Sequence, residues 1–299
     1  MNAVLQARAR AAATPEQVAA FERDGAVCLR QLLSSDEVAV LRRGIDLNLA
    51  QPSPRAIVAS RPGDPGFFIE DFCNWQHNAD YRSLIFDSPL AQAAALLMQS
   101  RSVRLYHDHM LTKEPGTRTP TPWHQDQPYY NVAGRQNASF WIPVDPVRRH
   151  STLEFVAGSH RGPWLMPRTF MDAQAKWFPE GSLADLPDVE AAREQHPPIG
   201  WALEPGDVVC FHMLALHAAA GVDSDRRRRV FSVRFLGDDM RHAPRAWKTS
   251  PDFPGLTDRR TDRRTDSLTD SLTDSRTDSL APGAPLDHPL FPLLVGQGA

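Results

Sequence analysis

From residue 101 onward the chain changes period, and that change limits its fold more than any other feature. The stretches "VRLYHDHMLTK", "PWHQD", "ASFWIPV", "TLEFVAG", "DVVCFHML" and "RVFSVRFLG" are short and largely apolar, with turn chemistry such as Pro205-Gly206 between them. Residues two apart on a strand share a face, so these segments suit strands of a sandwich or barrel. Before residue 101 the signals are helical. Thr14, Pro15 and Gln17 supply an N-cap, a proline in the first turn and a capping-box partner for a helix over roughly 15 to 23, closed by Asp24-Gly25. "AVCLRQLL" then reads as a short buried strand, Ser34-x-x-Glu37 opens a second helix running to about residue 50, and "SPLAQAAALLMQ" is a third. Residues 51 to 80, with many Pro, Gly and aromatic residues and no period, read as structured loop. Helices first and strands later predict a mainly β fold with flanking helices, its core a double-stranded β-helix (jelly-roll, cupin-like) with the helices on one face.

A chain of 299 residues can form one large domain or two ordinary ones. The reading is a flexible N-terminus over 1–13 and a single domain over 14–299, interrupted at 257–280. That interruption is six tandem tetrapeptides, TDRR, TDRR, TDSL, TDSL, TDSR and TDSL, with six Asp, five Arg and almost nothing to bury. It is predicted to be disordered. Residues 158 to 200 also interrupt the strands at length, as a lid or binding loop would. "MNAVLQARARAAA" has two of the marks of a transit peptide, arginines and no acid, but lacks its serines and length, and reads as a frayed end. The net charge of −3 argues against nucleic acid or an acidic membrane as partner, and no apolar stretch nears the ~20 residues of a membrane span. Cys28, Cys73 and Cys210 are odd in number and widely spaced, which fits buried thiols and a cytoplasmic location.

"TPWHQDQPYY" holds an H-x-D, His124 and Asp126. With 11 His and 26 Asp in the chain, about one such triplet is expected by chance, so the weight comes from its surroundings. A two-histidine, one-carboxylate site for iron takes two ligands close in sequence and a third from elsewhere in the barrel. On a strand His124 and Asp126 share a face while Gln125 turns away. His212 and His217 compete for the third place. His212 lies inside "DVVCFHML" as an ordinary half-buried histidine would; His217 is followed by Ala218, Ala219, Ala220 and Gly221, which leave space beside a metal, and is the choice. In "RRRRVFSVRF" one strand face carries Arg227, Arg229, Phe231, Val233 and Phe235, the other Arg226, Arg228, Val230, Ser232 and Arg234. The bulky apolar face belongs against the helices. Arg228 is then the inward guanidinium, able to hold a carboxylate by a bidentate pair, while Arg226 and Arg227 read as a solvated basic cluster.

Together "FERDGAV", "LTKEPGT", "PWHQDQPYY", "LEFVAGSHR" and "LHAAAGVDSDRRRRVFSVRF" resemble the phytanoyl-CoA dioxygenase family of iron(II)/2-oxoglutarate oxygenases, from about Thr14 to "HPLFPLL" but excluding the repeats. The resemblance implies His124, Asp126 and His217 as iron ligands and Arg228 on the distal carboxylate of 2-oxoglutarate. It implies Trp141 beside that co-substrate, where plain core packing is an equal reading, and places His109 near it, where ordinary packing is preferred. Two positions depart from the family's usual residues: Ala219 stands where many members have a small hydroxyl residue, and Asp223 where many have asparagine. By resemblance the enzyme uses Fe(II), 2-oxoglutarate and O2, with ascorbate stimulatory. The co-substrate is decarboxylated to succinate and the substrate hydroxylated; Asp126 favours hydroxylation, since related halogenases have a small residue there to admit halide.

Competing readings are a jelly-roll metal protein without 2-oxoglutarate, such as a cupin-like isomerase or another dioxygenase, and a non-catalytic binding protein. The first gives no reason for Arg228, and the second would be expected to have lost a ligand. The substrate is expected to be a small molecule, polar or amphipathic. Its candidate walls are residues 66 to 77, "DQPYYNVAGRQN" with Arg135, Gln136 and Asn137, and the insertion carrying Trp164, Phe170, Trp177 and Phe178. Oligomeric state has no signature in the sequence.

Overall fold

The computed structural model describes residues 3–166, 181–253, 256 and 279–296. Its first half is mainly helical, with three short strands between the helices. Helices α1 (Ala3–Ala12) and α2 (Pro15–Asp24) precede β1 (Ala26–Leu29), followed by α3 (Ser35–Ala50), β2 (Ile57–Val58), β3 (Phe68–Phe72), α4 (Ala79–Asp87) and α5 (Leu90–Met98). The capping signals hold: Thr14 Oγ1 accepts from Gln17 N, and Ser34 with Glu37 forms a reciprocal capping box. Gly25, at φ 78°, closes α2 in the left-handed conformation open to glycine.

Residues 1–13, expected as a flexible end, instead carry α1. Leu5 and Ala9 are buried, and Arg8 donates to Leu32 O and to the carboxylate of Glu37, the residue that also caps α3. The expected loop over 51–80 is also corrected, because β3 lies in its middle and α4 begins at its end. Asn78 caps α4 by accepting from Asp80 N and Tyr81 N. β3 pairs with β4 over Phe68–Phe72 and contains Asp71, a strand-poor residue whose carboxylate accepts from Asn48 Nδ2 and from Ser53 N and Oγ.

The second half supplies β4 (Val103–Lys113), β5 (Thr121–His124), β6 (Val132–Ala133), β7 (Asn137–Pro143), β8 (Leu153–Phe155), β9 (Val208–Phe211), β10 (His217–Ala219), β11 (Arg228–Leu236), β12 (Arg241–His242) and β13 (Leu293–Val295). One eight-stranded sheet runs β1-β9-β7-β11-β4-β3-β2, with β13 paired to β4; a three-stranded sheet runs β5-β10-β8, and β12 pairs β6. Every ladder is antiparallel. This is the expected jelly roll. Phe231, Val233 and Phe235 of β11 are fully buried in one cluster with Phe140, Ile142 and residues of all five helices, so the helices do cover one face of the large sheet. The opposite face of that sheet and the small sheet enclose the cavity described below.

Among the described residues the three cysteines are free, and no helix is long and apolar enough to cross a membrane. The repeat expectation at 257–280 falls almost wholly outside the described residues. Its borders are described: Leu280 N donates to Leu256 O at 2.9 Å, so residues 256 and 280 lie side by side.

Candidate metal centre and its cavity

His124 ends β5, His217 begins β10, and strand register pairs them directly. Their ring centroids are 4.1 Å apart. Nδ1 of His124 lies 2.8 Å from Pro122 O, and Nδ1 of His217 lies 2.9 Å from Ala215 O. A carbonyl only accepts, so each Nδ1 carries the proton and each Nε2 the lone pair. Both Nε2 atoms face one oxygen, Asp126 Oδ1, at 3.6 and 3.9 Å. One ligand atom from each of the three residues can be chosen so that all lie within 4.8 Å of one another, and all three residues are buried. Burial first, then the neighbouring His124, push His217 down to about 3, which keeps its imidazole neutral.

The route by which Asp126 arrives differs from the expected one. β5 stops at His124, and Asp126, at φ −74° and ψ −45°, starts a 3-10 turn over Gln127–Tyr129. Shared strand parity therefore does not align His124 with Asp126. The turn is pinned instead by Met213 O, which accepts from Asp126 N and Gln127 N at 2.8 and 2.9 Å. Gln125 does turn away: its amide donates to Leu214 O at 2.9 Å and accepts from Leu165 N at 2.8 Å.

The second oxygen of Asp126 is held by the protein. Oδ2 accepts from Ser139 Oγ at 3.0 Å and from Arg234 Nη2 at 3.3 Å, and Arg234 Nε donates to Tyr130 Oη at 3.1 Å. Burial alone would raise this carboxyl, but Arg234 holds it well below the usual range. Asp126 is therefore an anion with Oδ1 directed at the histidines. Sequence reading placed Arg234 on the inward face without giving it a task; its partner only becomes visible once β11 lies beside the turn at Asp126.

A cavity of about 410 Å³ adjoins the cluster, within the range usual for small-molecule sites. The parity reading of β11 holds, since Arg228, Val230, Ser232 and Arg234 all line it. Arg228 is 6% exposed; it donates to Ser151 O and, at 3.4 Å, to Ala220 O, and lies 5.7 Å from the ring of Trp141. Burial, with no acid opposing it among the described residues, lowers its guanidinium to about 10. Trp141, on β7, lines the same cavity. The basic-cluster reading holds for its neighbours: Arg226 pairs with Asp225 and Arg227 with Glu114 at the surface.

His109 is not part of the three-residue cluster but does line the cavity. It stacks on Phe72 with centroids 4.0 Å apart, and its Nε2 is 3.2 Å from Glu70 Oε2. His212 lies elsewhere, with Nε2 2.9 Å from Arg135 O and its ring beside His160. Ala219 lines the cavity, whereas Asp223 sits at the surface between Arg148 and His150.

Of the expected substrate walls, Phe68, Glu70, Phe72, Tyr129 and Tyr130 do face the cavity. Gln136 and Asn137 do not. Gln136 donates to Gln99 O, Asn137 braces Gln127 and Met213 N, and the backbone N–H groups of Arg135 and Gln136 are taken by Asp239. Trp164 lies under Arg245, also away from the cavity, and Phe170, Trp177 and Phe178 fall outside the described residues. Two inward charges went unread in the sequence, Lys113 and Glu70. Both sit on strands whose alternation would have placed them inward, but a charged residue is ordinarily assigned to solvent.

The sequence pattern of the family described as phytanoyl-CoA dioxygenase (PhyH) matches residues 21–230. A curated Caenorhabditis elegans protein named "Probable phytanoyl-CoA dioxygenase" is 22% identical over 229 residues, 72% of this chain; the match spans 65% of that relative's length, just under two thirds. Among solved structures, the epimerase SnoN in complex with Fe3+, alpha ketoglutarate and nogalamycin RO matches with a TM-score of 0.67 at 22% identity, covering 93% of this chain and 96% of that one. The carbocyclase SnoK from nogalamycin biosynthesis matches with a TM-score of 0.67 at 23% identity over 94% and 96%. EctD from S. alaskensis with 2-oxoglutarate and 5-hydroxyectoine matches with a TM-score of 0.61 at 21% identity over 81% and 82%. At these identities the three structures speak to the fold, and the match over 21–230 to the lineage: the chain belongs to the phytanoyl-CoA dioxygenase family.

Proposed function

We propose that this protein is an Fe(II)- and 2-oxoglutarate-dependent dioxygenase that hydroxylates a small organic substrate while 2-oxoglutarate becomes succinate and CO2. The observation that carries the reading is the pairing, in one cavity, of the His124–Asp126–His217 cluster with a buried Arg228 that has no acid against it among the described residues. Two imidazole nitrogens and one carboxylate oxygen form a donor set that suits iron(II) and leaves other coordination positions open. His124 Nε2, His217 Nε2 and Asp126 Oδ1 would hold the metal, and Arg228 the distal carboxylate of 2-oxoglutarate, with Trp141 as a wall beside it. Bound iron, with the keto acid and dioxygen, supplies the oxidising power for C–H hydroxylation.

The chain's own contribution is orientation and exclusion of water. Ser139 and Arg234 occupy Oδ2, which leaves Asp126 one oxygen for a metal. Pro122 O and Ala215 O fix the tautomers of the two histidines. Phe68, Phe72, Leu111 and Phe211 give the cavity apolar walls, and Glu70 with His109 a polar spot, in keeping with an amphipathic substrate. The solved relatives include an epimerase and a carbocyclase besides EctD, so the scaffold does not single out hydroxylation; Asp126 being a carboxylate speaks against halogenation. Ascorbate as a stimulant and a cytoplasmic location complete the proposal.

Purified protein given Fe(II), 2-oxoglutarate and ascorbate should form succinate slowly without a prime substrate, and faster with the right member of a metabolite library. No succinate under any condition, with iron bound, would remove the 2-oxoglutarate reading and leave a different jelly-roll metal chemistry.

A further inference from the structure

Glu70, in the middle of β3, faces the cavity that holds the metal cluster and is 4% exposed. Its Oε2 lies 3.2 Å from His109 Nε2, and the His109 ring is stacked on Phe72, two residues further along β3. Burial foremost lowers His109 from its ordinary range even against the pull of Glu70, so at neutral pH the ring meets the carboxylate as an uncharged donor. The other oxygen, Oε1, has no partner among the described residues, and because Glu70 lines the cavity it is the one a ligand can reach.

A buried carboxylate held by one neutral donor is poorly compensated. The protein treats its other buried acids differently. Asp126 takes a guanidinium and a hydroxyl, Asp71 an amide, a hydroxyl and two backbone N–H groups, and Asp108 the N–H groups of Asn74 and Trp75. Nor does a cation of the protein reach Glu70. Lys113 feels its charge through space, but turns its Nζ to Thr119 O and Ala220 O and forms no ion pair with it among the described residues. The strand neighbours of Glu70 are apolar: Ile57 of β2 and Leu111 of β4 lie directly across from it, and Phe68 and Phe72 flank it on its own face. Ile57 and Val58 line the cavity while remaining about half exposed, which makes its rim apolar as well.

We propose that Glu70 binds a protonated amine of the substrate through Oε1, which makes the substrate a small amine on an apolar frame and Glu70 the residue that selects it. The inference rests on the reading of this cavity as that of a 2-oxoglutarate-dependent enzyme and names the substrate class for it. An ammonium at Glu70 supplies the counter-charge that the protein withholds, and the rings of Phe72 and Tyr129 in the same wall also favour a cation. His109 holds Oε2, so that Oε1 is left to the ligand.

Isothermal titration under nitrogen, on protein loaded with Fe(II) and 2-oxoglutarate, tests this without turnover. The probes are benzylamine, cyclohexylmethylamine and hexylamine, each set against the alcohol of the same frame. The amines that bind should do so about 10- to 100-fold more tightly than their alcohols, the usual worth of a hydrogen bond between charged groups, and Glu70→Gln should bring each pair level. Glu70→Leu, which suits the apolar neighbours, should do the same and checks the result should Gln displace His109. An alcohol that binds as well as its amine, no binding by any of the three amines, or a preference that survives Glu70→Gln, as an amine bound straight to the metal would show, would overturn the inference. Titration of 2-oxoglutarate into the Fe(II) protein keeps the two readings apart. If it binds and the amines fail, the co-substrate reading stands and only the amine site falls; if it does not bind, both fall together.

Discussion

β11 presents two buried arginines to the same cavity, six residues and about 20 Å apart along an extended strand. They are built differently. Arg234 is tied to Asp126 and Tyr130, so its charge is answered inside the protein and its work is to hold a carboxylate in place. Arg228 is tied to carbonyls and a ring, so among the described residues its charge is unanswered. A compensated arginine is a strut, and an uncompensated one, opening on a cavity, is a socket. Equal burial hides that difference; the partners reveal it.

Substitutions should separate the two ends. The largest effect belongs between them: His124→Ala or His217→Ala should abolish succinate formation and iron binding, measured by metal content after dialysis. Normal activity in either variant would dissolve the whole scheme.

Next is Arg228→Met, which should weaken 2-oxoglutarate binding by about 2 to 5 kcal/mol, the cost of truncating one partner of a buried charge pair, while iron affinity stays near normal. Arg234→Met should do the reverse, lowering iron affinity by about 10- to 100-fold through the released Asp126, with the 2-oxoglutarate requirement little altered once iron is saturating. If the two variants exchanged phenotypes, the distinction between strut and socket would be wrong. A control is Arg229→Met on the opposite face of β11, where the partners are Asp145 and the half-exposed Asp46. It should cost about 3 kcal/mol of stability, a clear fall in melting temperature, because Asp145 loses its buried partner, with neither ligand affected.

The socket was legible in the sequence and the strut was not. Alternation along "RVFSVRFLG" sorts side chains by face without knowledge of neighbours, and so placed Arg228 inward; β4 likewise matches its apolar run end to end. What Arg234 does depends on a turn 108 residues away, which no local pattern announces. The same limit explains β3, whose Asp71 is satisfied by Asn48 and Ser53 from other segments, and α1, whose anchor is Glu37 beyond a helix and a strand. His124 and Asp126 were correctly paired by a strand rule that does not apply, since Met213 O and not strand parity sets Asp126. Lys113 and Glu70 were passed over because inward charge is the rarer case, and a rare case needs its surroundings to be recognised.

The hydrogen bond from Leu280 N to Leu256 O gives the tetrapeptide tract a particular standing in the gene. Each unit is four codons, so replication slippage adds or removes units in frame, and the join that receives them is already closed. We propose that copy number at this site is neutral for the fold, since lengthening a loop costs only about 0.6 kcal/mol per doubling. Chains with two, six or ten units should therefore melt within a degree or two of one another and bind iron alike. A steady fall in melting temperature with each unit removed would show that selection has taken hold of the tract.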